Sequence, residues 1–130
     1  MRGPLLAAEG LAKRFGDRVL FADAALALEA GHGYVLTGAN GSGKTTLLRM
    51  LAGLEAPDRG ALRFREGQAV ASAYPEAWRR DIVYVHQQPY LFHTSLADNI
   101  AYGLARRGVA AAERQARVEE ALAWAGLADR

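Results

Sequence analysis

The sequence predicts an α/β fold organised around one glycine-rich loop. Residues 38–46 read Gly-Ala-Asn-Gly-Ser-Gly-Lys-Thr-Thr and match the pattern G-x-x-x-x-G-K-[ST]. The apolar stretch 34–37 before this loop predicts a short buried strand, and the stretch 46–52 after it predicts a helix. A strand, a glycine-rich loop and a helix in this order form the context in which the pattern holds a nucleotide.

The residue types in the loop suit phosphate chemistry. Gly38, Gly41 and Gly43 have no Cβ, so the backbone turns tightly and its N–H groups come close to an anion, with the positive end of the following helix behind them. Lys44 supplies a point charge for the β- and γ-phosphates, and the Thr45 hydroxyl is a ligand for Mg²⁺. We predict that the remaining contacts to ATP in this loop come from Asn40, Ser42 and Thr46.

Composition limits the other functions. The chain has 130 residues, of which 51% are hydrophobic and 23% charged, as in a soluble globular protein of one domain or less. Its net charge of +2 comes with arginines spread along the chain, so we expect no nucleic-acid partner. There is no cysteine, which excludes disulfides and thiolate metal sites. The first ten residues lack the apolar length of a signal peptide, and no apolar run reaches membrane-spanning length, so we expect an intracellular chain whose membrane role depends on a partner.

The first half of the chain predicts a small antiparallel sheet beside a parallel core. Gly16-Asp17 is turn chemistry between two strands, and Gly53 is placed to end the helix after the loop. The predicted strands are 5–13, 19–29 and 61–65.

The second half predicts one more core strand and then helices. Residues 82–86 are a β-rich run stopped by Pro89, with Trp78 as a packing anchor ahead of it. Ser95 and the threonine before it are suited to cap a short helix that Gly103 would end. Residues 110–125 read as a helix closed by Gly126.

Taken in order, these segments resemble the nucleotide-binding subunit of ABC transporters over essentially the whole chain. Residues 38–45 match the Walker A loop, and Gln87 in Tyr-Val-His-Gln-Gln-Pro-Tyr-Leu-Phe is similar to the glutamine of the Q-loop. Residues 95–103 look like the segment that opens the helical subdomain, and Phe15 stands where the family carries the aromatic of its A-loop. The resemblance implies an incomplete P-loop NTPase fold of the ABC type, with an antiparallel β subdomain, parallel core strands and the start of a helical subdomain.

The resemblance also implies roles for the site residues. Phe15 would stack on adenine, with a core or turn aromatic as the alternative reading. Gln87 would reach Mg²⁺ and the attacking water, and the alternative for Gln87 is a surface amide at the end of a strand. The catalytic residues would then be Lys44 and Gln87. The metal ligands would be Thr45 and Gln87. Gln88 competes for the Q-loop position, and Gln87 is favoured because the family usually has one residue between the glutamine and the proline.

The domain organisation implied is residues 1–88 as the N-terminal part of the ATP-binding core and 89–130 as the start of the helical subdomain. The 130 residues contain no Leu-Ser-Gly-Gly-Gln signature, no apolar run ending in Asp-Glu and no later switch histidine. We therefore expect the first half of such a subunit, which binds ATP weakly and does not hydrolyse it alone. Its parent would energise transport at the inner, cytoplasmic face of a membrane, with a transmembrane permease subunit and a second ATP-binding subunit as partners. The run 99–108 resembles subunits of importers for small ions.

Two other functions stay open at the level of sequence. One is a nucleotide-binding or interaction half-domain that never hydrolyses ATP. The other is a different P-loop NTPase, such as a small kinase or a GTPase. The chain has no Thr-Lys-x-Asp segment for base recognition, which argues against a GTPase, and residues 87–92 favour the ABC type.

Overall fold

A computed structural model describes residues 3–70 and 76–129. It divides into two units, residues 1–85 and residues 86–130. The elements of the first unit are β1 (Leu6–Phe15), β2 (Arg18–Leu28), α1 (Lys44–Leu51), β3 (Arg59–Phe64) and α2 (Glu76–Arg79), and those of the second are α3 (Leu96–Arg106) and α4 (Ala111–Trp124).

The first unit is built on a three-stranded antiparallel sheet in the order β2-β1-β3. Leu6 at the start of the central strand pairs with Leu28 of β2 on one side and Phe64 of β3 on the other. The alternation of apolar and polar side chains in these strands buries one face of the sheet. Leu11, Met50 and Leu62 are its fully buried large side chains, so α1 covers the sheet through Met50. The predicted antiparallel sheet is confirmed, and Gly10, which interrupts the predicted first strand, lies at a register shift of β1.

The two predicted core strands differ from expectation. Within the described residues, 34–37 and 82–86 join no sheet, and the observed pairing is antiparallel. Val35 is 88% exposed, whereas Ile82 packs against the core and its neighbour Val83 is 74% exposed. A buried parallel strand needs strands along its edges and cover on both faces. In the described part of the chain, 82–86 is covered on one face and 34–37 on neither, so neither segment is a strand here.

The helices α1, α3 and α4 each end at a glycine with positive φ, at Gly53, Gly108 and Gly126. α1 ends as predicted at Gly53, whose N–H donates to the carbonyl of Met50 while the N–H of Leu54 donates to that of Arg49. This pair of bonds is a Schellman motif, and α4 ends at Gly126 in the same way. The prediction that Gly103 ends α3 is wrong, because the helix continues to Arg106. Gly103 does not adopt the positive φ of a terminating glycine, and contacts between α3 and α4 support the longer helix.

Trp78 has the packing role that the sequence predicts. It lies against the core cluster, and its ring centroid is 5.6 Å from that of Phe64. The sequence also predicts a loop at 66–76, and part of it, residues 71–75, lies outside the described residues. Within 3–70 and 76–129, none of the helices combines the length and the apolar character needed to cross a bilayer.

Candidate nucleotide-binding site

The predicted phosphate loop, residues 38–45, leads directly into α1. Gly43 is the N-cap residue of this helix with φ of 96°, a left-handed conformation that favours glycine. The N–H of Leu47 donates the first helical hydrogen bond to the carbonyl of Gly43, at 2.9 Å. Among the described residues, no side-chain cap hydrogen bond is made at this helix start and no acidic residue lies in its first turn. A helix start without a side-chain cap suits an anion site, because its N–H groups are not taken by a capping side chain.

The glycines form a cradle that side chains would fill. A Cβ atom on Gly38 would lie 2.8 Å from Ser42 Oγ, and one on Gly41 would lie 3.2 Å from Arg18 Nη2. The space at these positions is therefore available only because the loop residues are glycine. The fit of this loop to the phosphates of a nucleotide stays a prediction.

Lys44 lies across the loop. Its Nζ donates hydrogen bonds to the carbonyl of Gly38 and, at 2.9 Å, to the carbonyl of Ala39. Its side chain is half-buried, so the ammonium group is held over the loop backbone and is not extended into solvent. The contact of this cation with a phosphate stays a prediction.

The other four predicted residues of the loop lie on either side of Gly43. Thr45 is exposed at the start of α1, and Thr46 is half-buried beside it. Asn40 and Ser42 are exposed, and the backbone N–H of Ser42 donates to the carbonyl of Ala39 at 3.1 Å. Their contacts with ATP stay predictions.

Phe15 lies at the end of the β1–β2 hairpin. It pairs with Arg18 across the two-residue turn Gly16-Asp17, which fits the Gly-X pattern of a tight hairpin. Phe15 is 51% exposed, and Lys13 Nζ lies 5.3 Å from its ring centroid. The exposure excludes the core alternative and leaves a ring face for stacking; the adenine contact itself stays a prediction.

Gln87 and Gln88 belong to the second unit. Both lie in a bend after residues 82–86, and both side chains are exposed. Their exposure is alike, so it does not separate the two candidates for the Q-loop position. The metal and water contacts of Gln87 stay predictions, as does the functional boundary at residue 88.

One contact to the phosphate loop was not anticipated from the sequence. Arg18 Nη2 donates to the carbonyl of Gly41, although the two residues are 23 positions apart. The turn at 16–17 predicts that Arg18 faces Phe15, but the approach of this hairpin to the loop depends on packing between distant segments. No local sequence pattern indicates the contact between Arg18 and Gly41.

The start of α3 was also only partly anticipated. Ser95 is the N-cap residue as predicted, and its Oγ accepts from the N–H of Asp98 at 3.0 Å. Asn99, which the sequence did not single out, donates through Nδ2 to the carbonyls of Phe92 and Ser95, and its Oδ1 accepts from the N–H of Phe92 at 2.7 Å. Hydrogen bonds with the side chains of Ser95 and then Thr94 hold the pKa of Asp98 below its ordinary value of 3.8. This polar network fixes the chain that enters α3.

Comparison with known proteins places the chain in a family context. A sequence model described as "ABC transporter" matches residues 21–130. The chain is 44% identical over 131 aligned positions to the spermidine/putrescine import ATP-binding protein PotA of Pseudomonas aeruginosa (strain UCBPP-PA14), an alignment covering 100% of this chain and 35% of the relative. It is 43% identical over 116 positions to the Fe(3+) ions import ATP-binding protein FbpC of Escherichia coli (strain K12), covering 88% of this chain and 32% of the relative.

A solved structure shows the same fold. A bacterial Atm1-family ABC exporter with ATP bound superposes with a TM-score of 0.78 at 28% identity, over 98% of this chain and 21% of that one. The chain thus spans about a third of the length of the curated relatives named above.

Proposed function

This chain belongs to the ABC transporter family and has a P-loop NTPase fold of the ABC nucleotide-binding type, and from that premise we propose that its phosphate loop binds the phosphates of Mg-ATP. The observation that carries the proposal is Lys44, whose Nζ lies over the carbonyls of Gly38 and Ala39 in a loop that opens α1. A cation, a glycine cradle and an uncapped helix start meet within one short segment. Together they supply the donors and the positive potential that a polyphosphate needs.

The proposal also assigns protein ligands to Mg²⁺. Thr45 carries the hydroxyl that would ligate Mg²⁺, and Gln87 would contribute its side-chain amide oxygen. Oxygen ligands suit this hard cation, which keeps several waters and is bound largely through the phosphates of the substrate. When bound, Mg²⁺ neutralises phosphate charge; Lys44 and the loop N–H groups hold and orient the phosphates.

The biological role that we propose is energy coupling in a transporter. The relatives named above are import ATP-binding proteins for polyamines and for Fe(3+) ions. By analogy, the protein would serve an importer, bound to a membrane permease at the cytoplasmic face and paired with a second ATP-binding subunit. The sequence similarity covers the whole of this chain, which supports the assignment of its residues to such a subunit.

Substitution of Lys44 tests the phosphate assignment. Lys44→Ala removes charge-assisted contacts to phosphate that are worth about 1.5–3 kcal/mol, so we expect Mg-ATP affinity to fall roughly 10- to 150-fold at 25 °C. Calorimetric titration measures the affinity, and a thermal melt shows whether the variant stays folded.

Arg63→Gln is the matched control. Arg63 is an exposed cation of β3 in the same unit, so its loss changes the net charge equally. Equal affinities of wild-type protein and Lys44→Ala would reject the phosphate assignment, and an equal loss in Arg63→Gln would reduce it to a general charge effect.

A further inference from the structure

We propose that Arg18 is a positioning residue of the phosphate loop, which holds the peptide group between Gly41 and Ser42 in the orientation that phosphate binding requires. The inference rests on the proposed function, because the nucleotide is the ligand whose binding it supports. Arg18 lies outside the motif that defines the loop, at the first position of β2.

The peptide between Gly41 and Ser42 is held at both ends. Arg18 Nη2 donates to the carbonyl of Gly41, and the N–H of Ser42 donates to the carbonyl of Ala39 at 3.1 Å. In a planar trans peptide the C=O and the N–H point in opposite directions. Fixing both groups therefore fixes the rotation of the whole peptide plane.

The loop needs such a restraint because its backbone is permissive. Gly41 has φ of 79°, and glycine reaches this region and its mirror image with similar ease. If the peptide at Gly41 rotates, its carbonyl oxygen can turn toward the phosphates and repel them. A hydrogen bond to a guanidinium group opposes that rotation.

Lys44 and Arg18 donate hydrogen bonds to different carbonyl groups of the loop. Lys44 binds those of Gly38 and Ala39, and Arg18 binds that of Gly41. A hydrogen bond from a cation offsets part of the negative charge on a carbonyl oxygen, so these carbonyls repel a nearby anion less. The arrangement is preorganised, so less reorganisation is needed when the ligand binds.

Packing holds the strand that carries Arg18 against the loop. The next residues of β2 approach the same loop: a Cβ on Gly43 would lie 3.4 Å from Phe21 Cε1 and 3.5 Å from the Cβ of Leu20. The beginning of β2 thus lies against the phosphate loop. Phe21 packs against the core cluster, and Arg18 donates to the carbonyl of Gly41.

The test compares Arg18→Gln and Arg18→Lys with Arg63→Gln, which removes the same charge from β3. We expect Arg18→Gln to weaken Mg-ATP and ADP binding roughly 3- to 10-fold, the effect of one exposed hydrogen bond, and Arg63→Gln to leave both within about two-fold. Arg18→Lys, which keeps the donor but not the fork, should recover part of the loss. Competition by adenosine, which has no phosphate, should be equal in all variants.

A second measurement does not depend on nucleotide. Amide hydrogen exchange by NMR in the ligand-free protein should be faster at Ser42 in Arg18→Gln than in wild-type protein or Arg63→Gln, since the peptide has lost one of its two restraints. Melting temperatures of the variants should match.

The outcomes separate this inference from the proposed function. Unchanged ATP affinity and unchanged exchange at Ser42 in Arg18→Gln would overturn the positioning role, while a loss in Lys44→Ala still upholds ATP binding. An equal loss for adenosine and ATP, or a lowered melting temperature, would make Arg18 a structural residue of the hairpin and also overturn it. Absence of ATP binding in wild-type protein would overturn both.

Discussion

The two units of the chain differ in how many apolar side chains they bury. In the described residues, seven of the eight buried hydrophobic side chains lie in the first unit and one, Val118, lies in the second. Both units expose large apolar side chains, among them Val35 at 88% in the first unit and Trp124 at 91% in the second. The chain entry into α3 in the second unit is fixed by the hydrogen bonds of Ser95, Asp98 and Asn99.

The difference has a functional meaning. A phosphate site demands backbone groups at fixed positions, and a packed core supplies them because side chains in a core cannot shift independently. Met50, six residues after Lys44 in the same helix, is fully buried against the sheet. The second unit has fewer buried contacts, and hydrogen bonds that compete with water stabilise it less. Substitutions in the two units should therefore differ in kind.

The largest effect is expected at Met50. Met50→Ala leaves a cavity beneath α1 and should lower the free energy of unfolding by about 2–5 kcal/mol. Urea unfolding followed by the fluorescence of Trp78, with Trp124→Phe as background, reports on the first unit. Leu48→Ala in the same helix, where the side chain is 45% exposed, is the control and should cost much less. Similar costs at the two positions would show that α1 is not anchored through Met50.

A second comparison uses two exposed aromatic residues, one in each unit. Phe15 in the first unit is 51% exposed and Tyr102 in the second is 49% exposed. If Phe15 stacks on adenine, Phe15→Ala should weaken ATP and GTP alike by about 1–3 kcal/mol, because stacking reads a ring face. Tyr102→Ala should leave both affinities unchanged in the same titrations. A lower melting temperature with unaltered affinity would assign Phe15 to the hairpin structure instead.

The smallest effect concerns pH and the second unit. The pKa of Asp98 is lowered by hydrogen bonding with Ser95 and Thr94, so its contribution to stability is present above the ordinary value of 3.8 and is lost as pH falls through the folded value. Thr94→Val removes the bond from Thr94 Oγ1 to the Asp98 carboxylate, 2.9 Å in the wild-type protein, and should raise this pKa toward 3.8. NMR titration of the carboxyl carbon measures it. An unchanged pKa in Thr94→Val would remove Thr94 from the network.

The sequence allowed prediction of features encoded locally. Gly53 and Gly126 end their helices, Ser95 caps α3, and the turn at 16–17 joins two strands, because each signal acts within a few residues. The prediction at Gly103 was wrong because a glycine of this kind ends a helix where its φ is positive, and Gly103 does not have a positive φ. α3 packs against α4 and continues past this residue.

Features that join distant segments could not be predicted in this way. The apolar run at 34–37 has the composition of a buried strand, but burial depends on neighbours that composition does not name. The contact of Arg18 with Gly41 and the ion pair between Lys13 Nζ and Glu55 Oε1, 2.9 Å apart, arise from how the hairpin packs. The Walker A pattern could be recognised because its spacing is local, and the contacts of its residues with ATP stay predictions.

The position of α1 has a thermodynamic consequence. Its first residue, Lys44, belongs to the phosphate loop, and Met50 near its other end belongs to the core, so one short helix connects ligand site and hydrophobic interior. A nucleotide that binds only the folded loop draws the folding equilibrium of the first unit toward the native state by mass action. At a ligand concentration one hundred times the dissociation constant, this linkage is worth about 2.7 kcal/mol, comparable to the loss of a buried side chain.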